Sequence, residues 1–129
     1  VRKFVSKLVL TGFFALAAST GTAAFAKEAV QESAVSAVAL AQLPVQARET
    51  YQRIREGGPF EFDKDGVIFG NRERLLPAEK RGYYREYTVK TPGSKNRGAR
   101  RIVCGGAAKA PDTCFYTADH YASFRKIVP

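Results

Sequence analysis

The chain has 129 residues, with 21 Lys+Arg against 12 Asp+Glu, a single His, two Cys and neither Met nor Trp, and a formal net charge of +9. That length supports one compact domain, which excludes a multidomain enzyme and a dinucleotide-binding fold. The first 26 residues are expected to be a secretory signal: Arg2, Lys3 and Lys7 form an acid-free cationic start, Leu8 to Ala18 is apolar, and Ala24-Phe25-Ala26 places small residues where a signal peptidase reads. The apolar run is short for a membrane span, so no membrane association is expected once it is removed, and the product is expected outside a bacterial cell. Three of the basic residues fall in this segment, so the remaining 103 residues carry 18 basic and 12 acidic groups.

Residues 27–42 are Ala/Val/Ser-rich and read as a loose N-terminal segment with a short strand near Val35–Leu40; the domain proper is expected over 43–129. A helix follows. Pro44 suits a first helical turn, Leu43, Ala47, Tyr51 and Ile54 recur at spacings of 4, 4 and 3, and Gly57-Gly58-Pro59 stops the element. Gln46, Arg48, Glu49, Gln52, Arg53 and Arg55 take its polar faces.

Everything beyond reads as short strands and turns. Asp65-Gly66 precedes the β-rich run Val67-Ile68-Phe69. From Tyr83 to Val89 the residues alternate, with Tyr83, Arg85, Tyr87 and Val89 on one side and Tyr84, Glu86 and Thr88 on the other. Thr91-Pro92-Gly93 turns the chain into a second alternating strand over Ala99 to Cys104. Gly105-Gly106 and Pro111-Asp112 then loop between the cysteines, and further strands are expected at Phe115-Tyr116-Thr117 and Ser123–Val128. The implied class is α+β, a single helix packed on one face of an antiparallel sheet of about five strands.

Export favours a bridge between Cys104 and Cys114. With 11 residues in the closed loop, chain entropy gives roughly 2.5–3 kcal/mol of stabilisation. Two thiols and one distant His fall short of a tetrahedral zinc set, and no metal or organic cofactor is expected.

Three constellations could carry chemistry. Arg85, Lys90, Lys95, Arg97, Arg100 and Arg101 surround one acid, Glu86. Such a strand pair suits a polyanion, although a solvated sheet face would look the same. If the two strands form a hairpin, Glu86 and Arg101 project from one face, and the carboxylate amid these cations is a salt-bridge anchor or a general base. His120, the sole histidine, lies in the polar turn Thr117-Ala118-Asp119-His120-Tyr121; it is a structural hydrogen-bonding residue or an acid paired with that base. Phe69-Gly70-Asn71-Arg72-Glu73 is either a capped strand end or a base pocket in which Phe69 stacks, backbone amides donate and Glu73 accepts, a combination matched by guanine.

Taken together, Asp65-Gly66-Val67-Ile68-Phe69-Gly70-Asn71-Arg72-Glu73, Gly82-Tyr83-Tyr84-Arg85-Glu86-Tyr87-Thr88-Val89, Thr91-Pro92-Gly93, Arg97-Gly98-Ala99-Arg100-Arg101-Ile102 and Tyr116-Thr117-Ala118-Asp119-His120-Tyr121-Ala122-Ser123-Phe124 resemble the bacterial guanyl-preferring microbial ribonucleases from about Leu43 to Phe124. The resemblance implies Glu86 as catalytic base, His120 as acid, Arg97 and Arg101 at the scissile phosphate and Tyr121 as a phosphate contact. It places the guanine site on Phe69, Gly70, Asn71, Arg72 and Glu73. The implied activity is cleavage of single-stranded RNA after guanosine through a 2′,3′-cyclic phosphate that is hydrolysed to a 3′-phosphate. The implied setting is a secreted monomer, with a small acidic inhibitor of the barstar type as a candidate partner. Two rivals remain: a non-catalytic RNA or polyanion binder, and the same nuclease used as an antibacterial toxin. The Cys104–Cys114 pair departs from the family's N- to C-terminal bridge, whose first position falls near Ala39.

Overall fold

The computed structural model describes residues 35–129, together with Gly12. The expected signal segment and the loose stretch over 27–34 lie outside the described residues. In chain order come β1 (Ser36–Ala39), a 3-10 turn (Leu40–Gln42), α1 (Val45–Glu56), β2 (Tyr84–Thr88), β3 (Arg101–Gly106), β4 (Pro111–Thr117) and β5 (Arg125–Val128). No helix among the described residues is long and apolar enough to cross a membrane.

The helix forms where its spacing places it. Pro44 stands just before the first turn, its carbonyl accepting from the N–H groups of Ala47 and Arg48 at 3.0 and 3.1 Å. At the other end Gly57 takes φ 82°, which lets the N–H groups of Gly57 and Gly58 reach back to the carbonyls of Ile54 and Arg53 and satisfy the last turn. Leu43, Ala47, Tyr51 and Ile54 are all buried against one side of the sheet, with Tyr87, Val89, Ile102, Cys104, Cys114 and Tyr116.

The sheet runs β1-β5-β4-β3-β2. It is mixed rather than antiparallel throughout: β1 lies parallel to β5, with Val38 opposite Ile127, while the other pairs are antiparallel. The expected strand at Val67-Ile68-Phe69 is reduced to a single bridge between Ile68 and Arg85. The segment does run along β2, since Gly66 and Phe69 donate to the carbonyls of Glu86 and Tyr84. Ile68, however, is 52% exposed, and Asn71 at φ 49° turns the chain away before a ladder can extend.

Gly105-Gly106 and Pro111-Asp112 are not loop but the paired ends of β3 and β4, offset at Gly105/Gly106. The reason is steric: a side chain at position 105 would collide with the Tyr83 ring, so glycine lets that ring lie over the strand. Tyr83 accordingly leaves the alternation and packs edge-on against Tyr84 at 4.9 Å. The disulfide is present between Cys104 and Cys114, which sit directly opposite in the ladder with Cα atoms 4.1 Å apart.

A second, smaller core covers the face away from the helix: Leu76, Tyr84, Val103, Phe115 and Phe124. Tyr84 donates its hydroxyl to the carbonyl of Pro77 at 2.6 Å, and burial, reinforced by Glu79 and Tyr83, pushes its phenol up to about 12. The folded state therefore keeps a proton that the unfolded chain releases from about pH 10, so this contribution is lost as pH rises from about 10 to 12. Tyr84→Phe is expected to flatten the alkaline fall in stability in that window, measured by denaturant unfolding at pH 9 and 11. An unchanged fall would place the titrating group elsewhere.

Candidate active site

Alternation along β2 and β3 decides which side chains meet. Glu86 pairs with Val103 and Thr88 with Arg101, so Glu86, Thr88, Arg101 and Val103 share the face opposite the helix. Arg101 is 2% exposed. Its Nη1 donates to the carbonyls of Arg100 and Arg97 at 2.7 and 3.4 Å, and its Nε donates to the Tyr121 hydroxyl at 3.1 Å. That hydroxyl donates to Glu86 Oε2 at 2.9 Å, while Arg97 Nη2 donates to Glu86 Oε1 at 3.3 Å. Arg97 is steadied in turn by a 3.0 Å bond from its Nε to Thr88 Oγ1. One carboxylate is thus held between a guanidinium and a phenol, and the phenol is held by the second guanidinium. Burial, and then the hydrogen bond to Glu86, push the Tyr121 phenol up, so it stays a donor.

His120 and Tyr121 follow β4 on a turn in which both have positive φ, 52° and 72°. Left-handed conformations in two successive residues with side chains cost about 1–3 kcal/mol each and persist only when surrounding bonds fix them. Here the His120 N–H donates to the Ala99 carbonyl at 2.9 Å and the Tyr121 N–H to Thr117 Oγ1 at 3.2 Å. The result is an exposed imidazole whose ring centroid lies 4.8 Å from that of Tyr121.

The 69–73 segment and this group line one cleft of about 670 Å³. Phe69, Gly70, Asn71, Arg72 and Glu73 line it together with Glu86, His120 and Tyr121, and Ile68, Leu75, Ala122 and Phe124 complete it. Phe69 stacks on Tyr121 at 5.2 Å and meets Phe124 edge-on at 5.9 Å. Asn71 turns its side chain inward: Nδ2 donates to the Leu76 carbonyl at 2.9 Å, and Oδ1 accepts from the Leu76 N–H at 3.2 Å. It braces the loop between Asn71 and Leu76. Among the hydrogen bonds of the described residues, none engages the Glu73 carboxylate or the His120 ring.

All ten residues singled out for catalysis or substrate therefore converge on one cleft or on the bonded network at its floor. Cys104 and Cys114 lie apart, in the core on the helix side. Thr88 was missed although it shares the two-residue period with Glu86. Asp119, Thr117 and Ser123, which tie the His120 turn together, were missed as well.

The arrangement can accept a proton at a carboxylate, donate one from an imidazole, set the positive charge of two guanidiniums behind that carboxylate and the Tyr121 phenol, and hold a flat heterocycle by its edge. A family model described as ribonuclease matches residues 26–128. The chain belongs to the ribonuclease family. It is 56% identical over 94 residues to the guanyl-specific ribonuclease Sa3 of Kitasatospora aureofaciens, covering 73% of this chain and 64% of that relative, just under two thirds of its length. Against the guanyl-specific ribonuclease St of Saccharopolyspora erythraea the identity is 52% over 88 residues, covering 68% of this chain and 83% of St. Among solved structures, ribonuclease Sa2 in complexes with mononucleotides superposes with a TM-score of 0.69 at 44% identity, covering 74% of this chain and 95% of that one. The helix on a mixed five-stranded sheet is therefore the ribonuclease fold of these relatives.

Proposed function

We propose that this chain is a guanyl-preferring endoribonuclease of single-stranded RNA. The observation that carries the reading is the shared cleft: the Glu86 carboxylate, the His120 imidazole and the 69–73 loop line it together, with Arg97 bonded to Glu86 and Arg101 to Tyr121. Guanyl-specific relatives at about half identity support it, as do the Sa2 structures solved with guanosine-2′-cyclophosphate and 3′-GMP.

Guanine enters between the 69–73 backbone and Tyr121, with Glu73 accepting N–H groups of its Watson–Crick edge. Glu86 takes the proton of the ribose 2′-hydroxyl, and the freed oxygen attacks the adjacent phosphorus. Arg97 and Arg101 stabilise the dianionic transition state, where donors fixed in advance in a partly dry site act most strongly. His120, protonated, delivers its proton to the departing 5′-oxygen. The bond to that oxygen breaks and a 2′,3′-cyclic phosphate is left. Water then opens the ring with the Glu86 and His120 roles reversed, giving a 3′-phosphate. DNA, lacking the 2′-hydroxyl, binds without reacting. The protein acts as an exported monomer, and its basic face suits an acidic protein inhibitor.

Digestion of a mixed-sequence RNA by residues 27–129 in EDTA, with mapping of the 3′ ends, tests this. Ends carrying cyclic or 3′-phosphate after guanosine are expected. Salt-sensitive binding to RNA and DNA alike without scission would establish a binder instead.

A further inference from the structure

We infer that Asp119 is a positioning residue for the proposed acid: its carboxylate clasps Thr117 to Ser123 and so fixes the direction in which the His120 imidazole enters the cleft. This rests on the reading of His120 given above.

The clasp is complete on both oxygens. Oδ1 accepts from Thr117 Oγ1 at 2.8 Å and from the Ser123 N–H at 2.9 Å, and Oδ2 accepts from Ser123 Oγ at 2.6 Å. These bonds, that from the Ser123 hydroxyl foremost, hold the Asp119 carboxyl below its ordinary range and keep it an acceptor. The direction of one proton then matters. Because Thr117 donates its hydroxyl hydrogen to Asp119, its lone pairs are free, and one receives the Tyr121 N–H at 3.2 Å. That N–H belongs to the peptide group after His120. The peptide group before His120 is fixed separately, by its N–H to the Ala99 carbonyl at 2.9 Å. With both flanking peptide planes held, φ and ψ of His120 are set, and with them the Cα–Cβ direction. Thr117 is 1% exposed at the end of β4, so the clasp is anchored in the sheet.

The test compares two substrates in each variant. In a GpC dinucleotide the leaving alkoxide needs the proton from His120; in guanosine 3′-(4-nitrophenyl phosphate) the phenolate departs without one. A residue acting through the acid should matter for the first and hardly for the second. Asp119→Ala is expected to lower kcat on GpC by about 10- to 100-fold, the scale of a catalytic group displaced by about 1 Å, with KM little changed. On the nitrophenyl ester the loss should stay within about threefold, the same pattern that His120→Ala shows with a larger GpC loss. Asp119→Asn keeps an acceptor for Thr117 and the Ser123 amide and should restore most of the rate. Ser123→Ala removes only the Oδ2 bond and should repeat the ordering at smaller size, which keeps the question open to measurement if Asp119→Ala does not fold. Equal losses on the two substrates, or none on either, would overturn the assignment. If the unsubstituted protein cleaves neither, it is the nuclease reading that fails.

Discussion

Replacing Glu86 by Gln is expected to lower kcat on a GpN dinucleotide by about 10²–10⁴, the usual weight of one general base. The substitution keeps the shape of the side chain and an acceptor for Arg97, whose bond to Oε1 is 3.3 Å, so KM should move little. His120→Ala is expected to show a loss in the same range. The two act on the same transition state, so the double variant should lose far less than the product of the single losses. Full activity in either single variant would remove that residue from the mechanism. The bonded state of Glu86 gives the prediction its edge. With one oxygen taken by Arg97 and the other by the Tyr121 hydroxyl, the carboxylate is already oriented before substrate arrives, and little reorganisation is needed to receive a proton.

Glu73→Ala should act on selectivity instead. The Glu73 carboxylate lines the cleft free of any hydrogen bond among the described residues, and a bidentate pair with a base edge is worth about 1–3 kcal/mol of discrimination. The preference for GpN over ApN dinucleotides should therefore narrow by roughly 10- to 100-fold, almost all of it through slower guanosine cleavage. An equal loss across all four bases would show that Glu73 supports the loop without reading the base. The neighbouring Asn71 supplies the contrast, since its side chain is committed to Leu76.

Local pattern carried the helix and the central strands because both are fixed by side-chain period. Leu43, Ala47, Tyr51 and Ile54 mark one helical stripe, and the Glu86–Arg101 face follows from alternation alone. What pattern cannot hold is the choice of partner. β1 and β5 are joined in parallel across the whole domain, and nothing within Ser36–Ala39 says which strand it will meet. Val67-Ile68-Phe69 has strand-forming residues, yet whether a ladder extends depends on the turn at Asn71. Gly105 and Gly106 read as loop because their lack of side chains looks like flexibility, whereas it makes room for Tyr83. In the site, Glu86, His120, Arg97 and Arg101, the proposed base, acid and phosphate-binding groups, were legible as residue types in a familiar order. Tyr121 was singled out as a phosphate contact, and residue type alone does not announce that its hydroxyl also links Arg101 to Glu86. Asp119 stayed hidden because its role lies in the direction of one hydroxyl proton.

The Cys104–Cys114 bridge has a consequence for the cleft proposed as the active site. Cys104 lies three positions after Arg101 and Cys114 three before Thr117, and Arg101 and Thr117 are themselves cross-strand partners. A slide of one strand past the other by a single position would send Arg101 to the helix side; a slide by two would carry the acid-bearing turn several ångströms along the sheet. The covalent link forbids both. It acts as a locating pin between the strand that carries Arg101 and the strand that leads into the His120 turn.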